Sequence, residues 1–281
     1  MEGHKLKFTE AQRQRLVELG APDSYIEMEF GSKEERGHRF DELVRSFVSE
    51  SRNGLRALKD TSRRPYTCLL EDRLIDVLCS KGFVQVRSPT IMKRDFLERM
   101  GIDRKHPLTK QVFWLDDNTC LRPMLAPNLY QLWRRLRNVW NPPISLFEIG
   151  SCFRKESKGT SHTEEFTMMN IAELAPVKSA EKRLEEFIEL VMGVVGSDYV
   201  VDWSEKSDVY GTTVDVLVNG IEVASGAYGP HPLDEQWGII EPWAGIGFGI
   251  ERLVAANDPG KNIKRFSRSL SYLDGWRLDI K

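Results

Sequence analysis

Residues 213–221 read Thr213-Val214-Asp215-Val216-Leu217-Val218-Asn219-Gly220-Ile221. Apolar and polar side chains alternate along this stretch, and Asn-Gly supplies the two left-handed residues of a two-residue hairpin turn. The stretch therefore predicts two antiparallel strands joined tightly. Residues 144–153 and 164–174 read as two further strands around a polar loop, and Ile246-Gly247-Phe248-Gly249-Ile250-Glu251-Arg252-Leu253 passes from a Gly-rich strand end into a helix. Helices are predicted where apolar residues recur every three or four positions. Leu70, Leu74, Val77 and Leu78 mark one, ended by Gly82; Leu129, Leu132, Trp133 and Leu136 mark a second over 126–139. Leu184, Phe187, Ile188, Val191, Val194 and Val195 mark a third, stopped by Gly196. Phe83 to Pro89 alternates like a half-buried strand. Strands outnumber helices and are joined by hairpins, which favours an α+β architecture, a mostly antiparallel sheet flanked by helices, over a doubly wound parallel sheet.

Composition sets the outer bounds. The chain has 281 residues, 41% of them hydrophobic, and 40 Lys and Arg against 42 Asp and Glu. It is too apolar for a disordered tail and long enough for one large core with a modest appendage. No stretch has the roughly 18 uncharged apolar residues of a membrane helix, and Met1 to Lys7 lacks an apolar signal core, so a cytoplasmic protein without a membrane partner is expected. Cys68, Cys79, Cys120 and Cys152 form no C-x-x-C pair, which predicts free buried thiols.

The near-neutral total conceals two basic ends. Residues 1–65 predict two or three surface helices, within which Arg52, Arg56, Lys59, Arg63 and Arg64 face only Asp60. The C-terminal stretch carries Lys261, Lys264, Arg265, Arg268, Arg277 and Lys281 against Asp274 and Asp279. Such stretches are solvated faces or phosphate contacts with about equal weight on charge alone.

Two constellations carry chemistry. In Phe153-Arg154-Lys155-Glu156-Ser157, a polar loop containing His162, and Glu164-Glu165-Phe166-Thr167, strand-end charges can meet a phosphate and an adenine edge while Phe166 stacks under a purine. In Gly245 to Arg252 the spacing is not that of a dinucleotide fingerprint. The glycines still expose bare backbone to a flat ligand, and Arg252 can offer a bidentate fork to a phosphate.

Taken in order, Gly82–Pro89, Phe147–Phe166 and Gly247–Arg252 resemble motifs 1, 2 and 3 of the class II aminoacyl-tRNA synthetases. Leu121 to Tyr130, Arg154-Lys155-Glu156-Ser157, Glu164 to Met168 and Ser271 to Gly275 are similar, within that class, to the catalytic domain of the pyrrolysyl-tRNA synthetase family in its compact form, without a fused N-terminal tRNA-binding domain. The resemblance implies the class II fold over residues 66–281 behind a helical, tRNA-contacting segment over 1–65. It also implies a homodimer built through motif 1, a cognate tRNA, and room for a separate tRNA-binding protein. The implied reaction is activation of pyrrolysine or a related Nε-acyl lysine by ATP and Mg²⁺, then transfer to the tRNA.

Carried over by position, Arg154 holds the α-phosphate, Glu156 the adenine edge, Phe166 the adenine face, and His162 and Arg252 the distal phosphates. Glu222 and Ser225 hold nucleotide and Mg²⁺. They are three residues apart and would point to opposite faces of a regular strand, so a bulge near Gly226 is predicted. Ala126, Leu129, Tyr130, Trp133, Asn170, Ala172, Tyr210, Ala227 and Trp243 line the amino-acid pocket, with Asn170 set for a side-chain amide and Tyr210 for a cap. Trp133 is larger, and Ala172 and Ala227 smaller, than common family choices, and Thr163 follows the histidine where an aliphatic residue is usual. The alternatives are a class II enzyme of phenylalanyl or phosphoseryl type and a non-catalytic synthetase-like paralogue.

Overall fold

The computed structural model describes residues 5–155, 163–207, 211–258, 260 and 262–280. Residues 5–65 carry the predicted helices together with a small sheet that the sequence does not announce. β1 (Leu6–Lys7) pairs antiparallel with β2 (Glu29–Phe30), enclosing α1 (Glu10–Leu19) and α2 (Asp23–Ile26). α1 begins with a capping box between Thr9 and Gln12 and ends at Gly20 in the left-handed region. α3 (Lys33–Ala57) starts at the Ser32 cap and runs on through a π-turn over Leu58–Ser62. Phe8, Leu16, Ile26, Phe30 and Leu43 form a core of their own.

The larger body follows. α4 (Tyr66–Ser80) leads to β3 (Val84–Gln85), β4 (Ile91–Lys93), α5 (Arg94–Arg99), β5 (Thr119–Leu121) and α6 (Ala126–Leu136). β6 (Ile144–Phe153), β7 (Glu165–Leu174), α7 (Ala180–Val195), β8 (Val200–Ser207), β9 (Gly211–Val218), β10 (Ile221–Gly229), β11 (Trp243–Gly249) and α8 (Ile250–Ala255) come next. The short pair β12 (Tyr272–Leu273) and β13 (Trp276–Arg277) closes the order. Seven strands make the main sheet in the order β3-β6-β7-β11-β10-β9-β8, antiparallel at every pairing except β3 with β6. The protein is thus α+β with a mostly antiparallel sheet flanked by helices.

Period-two alternation sorts each strand between two cores. Phe147, Met169, Ile171, Val216, Ile246 and Phe248 face α4, α7 and α8, where Leu70, Leu74, Phe187, Val191 and Leu253 pack. Leu146, Ala172, Leu174 and Trp243 face the opposite way, toward α5 and α6 with Leu97, Leu129, Tyr130 and Trp133. The second face carries the candidate site.

Three expectations are corrected. Of residues 83–89 the ladder holds Val84 and Gln85, parallel to β6, and the Val86 N–H adds a bond to the Phe147 carbonyl at 2.9 Å; Phe83 is buried and Val86 half-buried, but Val84 and Gln85 are exposed. Among the cysteines Cys120 and Cys152 are buried, but Cys79 is exposed at the end of α4. Of the described basic residues in the C-terminal stretch, Arg265 and Arg277 are spent internally, while Lys264 and Arg268 stay exposed. The Arg265 guanidinium is buried against Asp258 and donates from Nε to the Gly275 carbonyl at 2.8 Å. Arg277 pairs with Glu18 at 3.4 Å and lies over the Tyr272 ring. Among the described residues, no helix is long and apolar enough to cross a membrane.

Candidate active site

The floor of the site is made by neighbouring strands. On β7, Phe166, Met168, Asn170 and Ala172 alternate onto the α6 side. On β11 the opposing positions are bare, with Gly245 paired to Ala172, Gly247 to Asn170 and Gly249 to Met168. The approach is close at Gly247: a Cβ there would lie 2.9 Å from Met168 Cε and 3.0 Å from Asn170 Oδ1, so the tip of Met168 and the Asn170 amide would have to shift.

β10 completes the floor through an irregularity. Its register against β9 slips between Glu222, opposite Leu217, and Ala224, opposite Val216. Val223 and Ala224 are both buried in the core, so Glu222, Ser225 and Ala227 all line the cavity. The bulge predicted near Gly226 exists, but at Val223. Gly226 is instead a place of close backbone approach, where a Cβ would sit 3.0 Å from the Gly245 carbonyl oxygen.

α6 supplies the wall. Together these elements enclose a cavity of about 320 Å³. Every described candidate lines it: Arg154, Phe166, Glu222, Ser225 and Arg252, and Ala126, Leu129, Tyr130, Trp133, Asn170, Ala172, Ala227 and Trp243. Glu156, His162 and Tyr210 lie outside the described residues. The cavity is also lined by Met124, Met168, Glu251 and Ile263. Of these, Met168 could be found from the alternation through Phe166 and Asn170, whereas Ile263 carries no local signal.

The charged groups gather at one end. Arg154 donates from Nε to the Pro123 carbonyl at 2.9 Å, and its guanidinium carbon lies 5.4 Å from the Phe166 ring centroid. Arg252 Nη1 donates to Glu222 at the carbonyl oxygen, 3.0 Å, and at Oε1, 3.2 Å. The Arg252–Glu222 pair is part exposed and so contributes only about 0–1 kcal/mol, which lets an anionic ligand compete for the guanidinium. Glu251, next in sequence, is buried and accepts the Thr167 backbone N–H at both carboxylate oxygens, 2.9 and 3.0 Å. Burial raises its pKa above the usual carboxylate range. This bond ties the start of α8, and with it Arg252, to β7.

The other end is apolar and aromatic. Asn170 Oδ1 is buried there with no hydrogen-bond partner, an acceptor left for a ligand's N–H. Two hard oxygen donors, the Glu222 carboxylate and the Ser225 hydroxyl, share the charged end. That set suits Mg²⁺, which keeps several waters and phosphate oxygens beside one or two protein ligands.

A mostly antiparallel sheet with two arginines turned into one cavity is the arrangement the class II resemblance implies, and comparison with known proteins agrees. A family model described as the phenylalanyl tRNA synthetase beta chain CLM domain matches residues 58–217. A threonine–tRNA ligase of Vesicomyosocius okutanii is 25% identical over 203 residues, covering 60% of this chain and 32% of that protein. A phenylalanine–tRNA ligase alpha subunit of Alkaliphilus oremlandii is 25% identical over 114 residues, 40% of this chain and 32% of that one. The chain spans about a third of the length of these curated relatives. The crystal structure of pyrrolysyl-tRNA synthetase from Desulfitobacterium hafniense superposes with a TM-score of 0.92 at 44% identity, covering 98% of this chain and 99% of that chain. A second structure of that synthetase, PylSc, gives 0.90 at 44% identity over 97% and 95%. The chain belongs to the pyrrolysyl-tRNA synthetase family of class II aminoacyl-tRNA synthetases.

Proposed function

We propose that the protein activates pyrrolysine with ATP as an aminoacyl-adenylate and transfers it to its cognate tRNA, as a pyrrolysine–tRNA ligase. The observation that carries this reading is the division of one cavity into a charged end, with Arg154, Arg252, Glu222 and Phe166, and an aromatic end, with Tyr130, Trp133, Trp243 and the unpartnered Asn170 oxygen. The amino-acid carboxylate attacks the α-phosphorus and pyrophosphate leaves. Arg154 neutralises charge developing on the α-phosphate, while Arg252 and His162 hold the leaving phosphates. Phe166 stacks on the adenine and Glu156 accepts from its amino group. Glu222 and Ser225 hold Mg²⁺, which when bound adds charge neutralisation at the phosphates. No side chain acts as general base, since positioning and electrostatics supply most of the rate.

The aromatic end fits a long, uncharged lysine derivative. None of Ala126, Leu129, Tyr130, Trp133, Asn170, Ala172, Ala227 and Trp243 is acidic, so free lysine meets no carboxylate among these lining residues. Phenylalanine would leave the Asn170 amide unused, and phosphoserine would call for cations at this end. Residues 1–65 act as a tRNA-contacting segment and 66–281 as the catalytic domain of a cytoplasmic homodimer. Exposed Arg52, Arg56, Lys59 and Arg63 supply phosphate contacts, so tRNA binding weakens steeply with salt.

Pyrophosphate exchange into ATP with Mg²⁺ tests the reading, using an Nε-acyl lysine beside phenylalanine and lysine. Exchange with the acylated lysine alone is expected. Exchange with phenylalanine would keep the fold and overturn the substrate, and silence from folded protein with every amino acid would favour a non-catalytic paralogue.

A further inference from the structure

Behind the aromatic end lies a buried carboxylate that the reaction does not use. Asp234 sits in the 3₁₀ turn Pro232–Trp237 with 1% of its surface exposed. Its Oδ1 accepts the Tyr130 hydroxyl at 2.9 Å, and its Oδ2 accepts Trp243 Nε1 at 2.7 Å and the His231 backbone N–H at 2.6 Å. Tyr130 comes from α6 and Trp243 from β11, so one carboxylate ties the wall of the cavity to its floor. Tyr130 also stacks on Trp237, with ring centroids 5.4 Å apart at 25°, and meets Trp133 and Trp243 edge-on at 5.5 and 5.6 Å. Asp234 itself is not part of the cavity lining, whereas Tyr130, Trp133 and Trp243 are.

A phenol and an indole can each turn about their terminal torsions, and a hydrogen bond to a fixed buried acceptor selects one orientation. A carboxylate can accept at both oxygens and so can serve three donors. We propose that Asp234 is a positioning residue for substrate specificity: it holds Tyr130 and Trp243 in the orientation that shapes the pocket for the amino-acid side chain, without touching the ligand. The inference rests on the pocket assignment made above.

Asp234→Asn provides the test. The amide keeps the size and can still meet all three groups, its oxygen accepting Trp243 Nε1 and the His231 N–H and its NH₂ donating to the Tyr130 hydroxyl oxygen. Bonds to a carboxylate nevertheless become weaker bonds to an amide, and the Tyr130 hydroxyl no longer donates to residue 234. Exchanging buried bonds to a carboxylate for bonds to a neutral amide, one of them reversed, corresponds to about a tenfold change in affinity. In pyrophosphate exchange the amino-acid KM is expected to rise about tenfold, the ATP KM to stay unchanged, and discrimination between short and long Nε-acyl lysines to narrow. A purely structural role would lower stability and leave this split unmoved. Unchanged KM values, or a rise in both together, in folded protein would overturn the proposal. Tyr130→Phe removes only the hydroxyl and should give the same split; should Asp234→Asn not fold, an unchanged amino-acid KM in Tyr130→Phe would overturn the proposal equally.

A wild type that exchanges with no acylated lysine would mean the substrate reading had failed, not the positioning. In that event 5-fluorotryptophan labelling reads Asp234 directly, with the Trp243 resonance assigned by Trp243→Phe. A shifted and broadened Trp243 signal in Asp234→Asn supports the tether, and an unmoved one overturns it.

Discussion

Gly150 has no side chain because Arg122 occupies the space. A Cβ there would lie 2.2 Å from Arg122 Nη2. The guanidinium is buried and pairs with the equally buried Glu148 at 2.7 Å, while Glu148 accepts the Ser88 N–H at 3.0 Å and its hydroxyl at 2.6 Å. Both charges are compensated only while this geometry holds, since separating a buried pair leaves two desolvated ions. Gly150→Ala is therefore expected to destabilise the protein by roughly 2–4 kcal/mol in urea denaturation. A change below about 0.5 kcal/mol would show that the guanidinium can swing aside without losing its partner. Glu251 supplies a second single-residue test. Its raised folded-state pKa, caused first by burial, lies above the unfolded value. The stabilisation from holding the proton is fully present below the unfolded pKa and is lost as pH rises through the folded one. Glu251→Gln keeps an oxygen for the Thr167 N–H and removes the titration. Its stability relative to wild type should rise as pH increases above the unfolded carboxylate value of about 4. Parallel stability–pH curves would mean that the carboxyl titrates alike in both states.

At the scale of elements, β9 and β10 are joined by Asn219 and Gly220 at φ 49° and 80°. Asn219 reinforces the turn by donating from Nδ2 to the Ala256 carbonyl at 2.9 Å. Gly220→Ala forces a Cβ into the left-handed region at an exposed turn, and a cost of about 1 kcal/mol is expected with the KM values for ATP and amino acid unchanged. A loss of activity at unchanged stability would mean that the turn reaches the bulge at Val223. This hairpin is legible in the sequence because its rule is local: the turn residues and the flanking alternation lie within nine positions. Alternation likewise puts Phe166, Asn170 and Ala172 on one face, and the same count includes Met168, which has no polar atom to draw notice. The C-terminal arginines are not legible this way. Arg265 and Arg277 have the composition of a surface stretch, and their burial depends on Asp258, Gly20 and Glu18 being folded against them. Asp234 is hidden for the same reason, since its two side-chain donors, Tyr130 and Trp243, lie on separate elements that only the sheet brings together.

At the scale of the molecule, the N-terminal unit has its own core yet is fastened to the larger body by the last residues of the chain. Tyr272 donates its hydroxyl to the Glu18 carbonyl at 3.0 Å, and Arg52 on α3 donates to the Ile280 carbonyl at 3.2 Å. The Trp276 ring takes the space beside Gly54 in the middle of a helical turn, where a Cβ would fall 2.0 Å from Trp276 Cε2. This contact lies on the same helix as the exposed Arg52 and Arg56, so the angle at which the C-terminal strand holds α3 sets where those cations stand relative to the catalytic cavity. Gly54→Ala separates the contact from helix propensity. In an exposed helix interior the change would stabilise by about 1 kcal/mol; here the indole must leave, and net destabilisation is expected instead. If α3 presents the tRNA's phosphates to the site, the variant should bind the cognate tRNA several-fold more weakly and with a changed salt slope. Pyrophosphate exchange, which needs only the cavity between β7, β10, β11 and α6, should keep its KM values. Weakened tRNA binding together with weakened exchange would show that the C-terminal strand supports the cavity itself. A stabilised variant with unaltered tRNA binding would show that Trp276 can be displaced without moving α3, leaving the basic face of the helix independent of its C-terminal fastening.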